Sequence, residues 1–148
     1  MEESKSVTSF KVSGEYFAVE TASVRHILAS VPPTRVPLTK PFIKGVINNH
    51  GNMIPVVDFR ALLGRDEAQG LPEQSIVVVG LESNGKEELV GFRVDEMDDV
   101  FEMAPESFSH EVVINVAPEV QRAVAGTIKE GDKFVYLLKL DELEQALL

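Results

Sequence analysis

Two stretches of this chain are written twice, in the same order and at nearly the same spacing. Phe17-Ala18-Val19-Glu20, followed by Val24, returns as Phe92-Arg93-Val94-Asp95, followed by Val100. Gly45-Val46-Ile47, then Gly51 and the run Ile54-Pro55-Val56-Val57, returns as Gly126-Thr127-Ile128, then Gly131 and Phe134-Val135-Tyr136-Leu137-Leu138. The first pair is separated by 75 residues and the second by 81. Two related β units side by side account for that order, with a groove between them. A groove without catalytic groups is a docking surface rather than an active site.

The rest of the chain agrees with a mainly β fold. Apolar runs are short, rich in β-branched residues and divided by turn signals about every eight to twelve residues, as in sandwiches and barrels. Ser13-Gly14-Glu15 and Asn84-Gly85 read as hairpin turns, and Asn48-Asn49-His50-Gly51-Asn52 as a turn whose residues tolerate positive φ. Residues 23–30 suit either a short helix or a bent strand. The prolines around Val31-Pro32-Pro33-Thr34 keep that stretch extended. Residues 104–120 read as irregular, and Asp141 to Leu148 as a short terminal helix. Residues 65–74, with Gly, Pro and charges and little to bury, form the expected linker within a single domain spanning 1–148. It divides a first half, 7–64, from a second, 75–148.

Composition removes several classes of function. The 148 residues carry a net charge of −10, whereas nucleic acids and anionic membrane surfaces need a basic footprint. There is no cysteine, which excludes disulfides, thiol catalysis and thiolate metal sites. The polar start, Met1-Glu2-Glu3-Ser4-Lys5, has no apolar signal core, and no apolar run approaches the ~18 residues that span a bilayer. A cytoplasmic protein is the expectation.

Catalytic chemistry finds no support. His26, His50 and His110 do not stand at metal-ligand spacing. Asp95, Glu96, Asp98 and Asp99 lack the glycine and terminal glutamate of a calcium loop, leaving a solvated loop or an interaction edge. Gly45 and Gly51 sit between two strands without the Lys-Ser/Thr tail of a phosphate loop, and no serine has the surroundings of a nucleophile elbow. No motif here supports an enzyme or a cofactor, while a buried pair of catalytic carboxylates would leave no such signature.

Residues 41–60, Pro41-Phe42-Ile43-Lys44-Gly45-Val46-Ile47-Asn48-Asn49-His50-Gly51-Asn52-Met53-Ile54-Pro55-Val56-Val57-Asp58-Phe59-Arg60, resemble the signature of the CheW family of chemotaxis coupling proteins. That signature is a strand ending in Gly-Val-Ile-Asn-Leu-Arg-Gly, then an apolar pair, Pro, two apolar residues, Asp, Leu and Arg. Gly14 to Val19, Val24-Arg25-His26-Ile27, Val90 to Asp95 with Val100, and the final Gly126 to Leu143 resemble the family's other segments in order.

The resemblance implies two pseudo-repeated five-stranded SH3-like β-barrels around a shared core, with a short C-terminal helix and no cofactor or catalysis. It also implies a scaffold linking the cytoplasmic tips of chemoreceptors (methyl-accepting proteins) to the regulatory domain of a CheA-type histidine kinase. A receptor helical hairpin would lie in the groove between the barrels, where Val24, His26, Ile27, His50 and Val100 are expected. Gly45, Asn49 and Gly51 fall in the region expected at the kinase contact or turn. Two positions depart from the family: its Arg in the Asn-Leu-Arg-Gly turn is His50, and its Glu in Val-x-Glu-Ile is His26. A permanent charge with five donors is thereby replaced by an imidazole. An interaction module outside chemotaxis and a small β-barrel enzyme or ligand binder are the rival readings.

Overall fold

Three of the hairpin turns explain how the strands begin. Ser13-Gly14, His50-Gly51 and Asn84-Gly85 have φ of +54 and +82, +53 and +86, and +54 and +77 degrees. Positive φ at both central residues makes the tight loop whose twist matches that of the flanking strands. In the computed structural model, which describes residues 5–29, 31–36, 40–65 and 74–147, these turns join β1 (Lys5–Val12) to β2 (Glu15–Glu20), β4 (Ile43–Asn49) to β5 (Asn52–Asp58), and β6 (Ser75–Ser83) to β7 (Lys86–Val94). The fourth hairpin joins β10 (Val124–Glu130) to β11 (Lys133–Leu138) around Gly131. Of the expected linker 65–74, only Arg65 and Gln74 are among the described residues.

Residues 23–30, for which helix and strand were both open, resolve into a 3-10 turn, Thr21–Ser23, and a strand, β3 (Val24–Ala29). The acidic stretch expected as a loop or edge is itself a strand, β8 (Glu96–Met103). Short helices α1 (Phe59–Leu62), α2 (Pro118–Gln121) and α3 (Leu140–Leu147) and a two-residue strand β9 (Phe108–Ser109) complete the fold. Asp58 caps α1, accepting the Arg60 N–H at 3.1 Å.

The strands form two sheets, ordered β8-β1-β2-β11-β10-β9 and β3-β6-β7-β5-β4. Each contains strands from both sides of residues 65–74. The β1–β2 hairpin lies in the six-stranded sheet, yet the next strand, β3, crosses over and pairs antiparallel with β6. The β6–β7 hairpin lies in the five-stranded sheet, yet β8 crosses the other way and pairs with β1. Parallel pairs close the arrangement, β5 with β7 and β11 with β2. The sequence repeat is thus a repeat of element order, and the two halves exchange strands.

Gly45 and Gly126, equivalent in that repeat, do the same job in both sheets. A β-carbon on Gly45 would sit 2.1 Å from the Thr34 carbonyl oxygen, and one on Gly126 would sit 2.2 Å from that of Ser109. Thr34 bridges Val46 and Ser109 pairs with Thr127, so each glycine lets a crossing segment close its sheet.

Three apolar clusters follow from the architecture. Ile47, Ile54, Val56, Ile76 and Val78 fill one curled sheet, and Val7, Ala18, Ile128 and Val135 the other. Between them lies a larger shared core. At its centre Phe59 packs edge-on against Phe10, Phe17 and Phe92, with ring centroids 5.4, 5.2 and 5.6 Å away. Phe17 and Phe92 are the repeat-related pair. Val120 of α2 and Leu143 of α3, both fully buried, close the core.

Candidate functional site

The exchange that builds the sheets leaves β3 and β8 as edge strands, and these carry most residues expected at a partner. On β3, Val24 is half-buried against the shared core, while Arg25, His26 and Ile27 are exposed. Ile27 is 50% exposed and Val100, on β8, is 55% exposed. A short path joins the two strands. Val100 pairs with Thr8, whose Oγ1 lies 2.9 Å from Thr21 Oγ1, and Thr21 opens the 3-10 turn that leads into Val24.

The ladder between β3 and β6 shifts register between Val24 and His26, so Arg25 sits at a bulge. Its guanidinium donates to Glu87 from Nε at 3.0 Å and from Nη2, and Nη1 donates to the Ala22 carbonyl at 2.6 Å. The hydrogen bond to Glu87 raises the Arg25 pKa, and the same bond lowers that of Glu87. Gly80 leaves the space, since a β-carbon there would meet the Glu87 carboxylate at 2.4 Å. This clasp holds the edge that bears His26 and Ile27.

Asp95, Glu96, Asp98 and Asp99, before and at the start of β8, are partnered rather than free. Asp98 accepts from Ser9 Oγ and from Lys133 Nζ, both at 2.8 Å, and the hydrogen bond to Asp98 raises the Lys133 pKa. Asp99 accepts the Val100 N–H at 2.8 Å, and Glu96 lies 3.9 Å from Lys11. Asp95 is bound to Arg60. Among the described residues no group of three His, Asp or Glu side chains could hold a metal.

The second set of expected residues lies on the β4–β5 hairpin. Asn49 pairs with Asn52, exposed His50 and Gly51 form the turn, and Asn48 Oδ1 accepts the Gly51 N–H at 2.9 Å. Gly45 is buried and acts through backbone geometry. Sheet order places β6 and β7 between His26 on β3 and the β4–β5 turn that bears His50. His110 is exposed, with its ring edge-on to Phe108 at 5.0 Å.

Among the exposed apolar residues that sequence reasoning missed are Met53 and Phe134, each 60% exposed near the start of the second strand of its hairpin. The spacing that relates Gly45 to Gly126 also relates this pair, so the repeat contained the signal. Among the described residues no helix is long and apolar enough to cross a membrane.

The comparisons with known proteins converge. The family model described as the CheW-like domain matches residues 6–147. The chain is 27% identical over 140 residues to the chemotaxis protein CheW of Rhizobium meliloti (strain 1021), covering 94% of this chain and 86% of that protein. It is 36% identical over 110 residues to the chemotaxis protein CheW of Bacillus subtilis (strain 168), covering 74% and 64% respectively. Its fold is similar to the crystal structure of the scaffolding protein TtCheW from Thermoanaerobacter tengcongensis, with a TM-score of 0.80 and 26% identity over 95% of this chain and 92% of that one.

Proposed function

Because the chain belongs to the family of CheW-like domains, whose members are non-enzymatic scaffold proteins, we propose that it couples chemoreceptor cytoplasmic tips to the regulatory domain of a CheA-type histidine kinase in the cytoplasm. The observation that carries this reading is the pair of exchanged edge strands, β3 and β8, which expose Ile27 and Val100 where the family resemblance expects the receptor. A receptor tip is a helical hairpin, and an amphipathic helix docks through apolar side chains in a groove. Exposed aliphatic residues supply that contact, while His26, next to Ile27 on β3, tunes its polar margin. The β4–β5 hairpin, with Asn49 and Gly51, is assigned to the kinase.

Gel filtration and calorimetry with the purified regulatory domain of each CheA-type kinase from the same genome test the reading, with a receptor-tip fragment added next. Binding to both supports coupling. Kinase binding without receptor binding marks an array component that has lost its receptor. Binding to neither overturns the proposal in favour of an interaction module outside chemotaxis.

A further inference from the structure

Residues 111–116 form an extended strap with a strand's periodicity but no strand partner. Glu111, Val113 and Asn115 are exposed, while Val112, Ile114 and Val116 are half-buried and pack on the shared core. The main chain shows the same period of two. Thr127 Oγ1 donates to the Glu111 carbonyl at 2.7 Å, Tyr136 Oη to that of Val113 at 2.8 Å, and Arg65 Nη2 to that of Asn115 at 3.3 Å. In extended chain, alternate residues direct their N–H and C=O groups to opposite edges. One edge is therefore capped by side chains. On the other, the N–H and C=O groups of Val112, Ile114 and Val116 have no hydrogen-bond partner among the described residues.

We propose that the free edge of residues 112–116 is a strand-addition site for an extended, basic-flanked peptide segment of a partner protein. Main-chain hydrogen bonds to Val112, Ile114 and Val116 would supply the affinity, and an apolar side chain beside Val113 the selectivity. Val113 is 83% exposed, and the cavity of about 670 Å3 that it lines with Phe108, Phe134 and Tyr136 lies towards the capped edge, so the Val113 side chain itself is the apolar contact nearest the added strand. Glu106 and Glu111 line the same cavity with one cation, Lys129, and with the chain's net charge of −10 this acidic balance favours flanking lysine or arginine. This inference stands independently of the coupling reading.

The test uses the full chain and the capped peptide Lys-Thr-Val-Thr-Val-Thr-Lys, with amide hydrogen exchange and chemical shifts read residue by residue. The peptide is expected to slow exchange at Val112, Ile114 and Val116. The same peptide N-methylated through its core keeps the side chains but loses the donors. Its affinity should fall about tenfold for each pair of ladder hydrogen bonds removed. Val113→Lys, a charge on an exposed position beside the edge, should weaken the parent peptide without unfolding the protein. Unchanged exchange at the three amides under saturating peptide, or equal binding of the N-methylated peptide, would overturn the proposal. Protection that appears without peptide and grows with protein concentration would also overturn it, by assigning the edge to a second copy of the chain.

Discussion

Arg60 grips Asp95 at two points, Nε to Oδ1 at 2.8 Å and Nη2 to Oδ2 at 2.6 Å, and so ties the end of β5 to the junction of β7 and β8. The carboxylate also accepts the Ser13 N–H from the β1–β2 turn at 2.7 Å, and the Asp95 N–H donates to the Lys11 carbonyl at 3.0 Å. Beside it Arg93 reaches Asp58, its direct partner in the parallel ladder, at 3.1 Å. The exchanged segments are thus held together where they cross.

Burial pushes the Asp95 carboxyl up, but the hydrogen bonds from Arg60 and the Ser13 N–H, with the charges of Arg60 and Lys11, hold it below its ordinary value. A depressed carboxylate contributes stability that is present above its unfolded pKa, about 3.9, and is lost as pH falls through the lower folded value. Asp95→Asn should therefore cost about 2 kcal/mol at pH 7, less than for a fully buried pair because solvent reaches Arg60. In urea titrations the gap from the parent protein should close as pH drops below about 4. A gap that is constant from pH 3 to 7 would exclude the ion pair as its source.

Strand exchange predicts that the chain unfolds as one unit. Neither sheet can form without strands from the other half, so calorimetry should show one transition whose calorimetric and van't Hoff enthalpies agree. Two resolved transitions would mean that the sheets are separable. Phe59→Ala, which empties the contact between three aromatic rings, should lower stability by about 3–5 kcal/mol while leaving the transition single.

Gly126→Ala tests the close approach by itself, because Gly126 is not among the positive-φ residues. Overlap with the Ser109 backbone should cost about 1–3 kcal/mol. Gly45→Ala, with φ +143 degrees and the Thr34 carbonyl equally close, should cost more. Gly131→Ala, at φ +60 degrees in open space, should cost only about 1–2 kcal/mol. Equal losses at the three positions would remove the steric account.

Ile27→Asp and Val100→Asp separate docking from folding. Both side chains are at least half exposed, so each variant should stay within about 0.5 kcal/mol of the parent in denaturant. Both should lose receptor-tip binding in the gel-filtration assay while keeping kinase binding. Undiminished receptor binding would move the receptor contact away from β3 and β8.

Much of the fold was legible because its signals are local. Ser13-Gly14, His50-Gly51 and Asn84-Gly85 mark hairpins through backbone angles that few residue types adopt. Val112, Val113, Ile114 and Val116 carried no such mark. Four apolar residues without a turn signal read as irregular, and only the carbonyl partners Thr127, Tyr136 and Arg65 reveal their strand-like edge. Of the two readings of the acidic stretch, a solvated loop or an edge, the loop failed for a related reason, since β8 is an edge strand. Ser9 and Lys133, which bind Asp98, are 89 and 35 residues away in the chain, so charge density alone suggested solvent.

The amino-acid sequence by itself determined the kind of elements, their order and their duplication, because side-chain alternation and turn geometry act over a few residues. It also determined the family, through the run from Pro41 to Arg60. Tertiary structure alone decided which strands pair beyond the hairpins. The period of two identifies a strand without naming its neighbour, so β3 and β8 look like continuations of their own hairpins until the shared core draws each into the opposite sheet. That exchange sets Ile27 and Val100 on exposed edges, leaves one edge of residues 112–116 unpaired, and joins Arg60 to Asp95 across the halves.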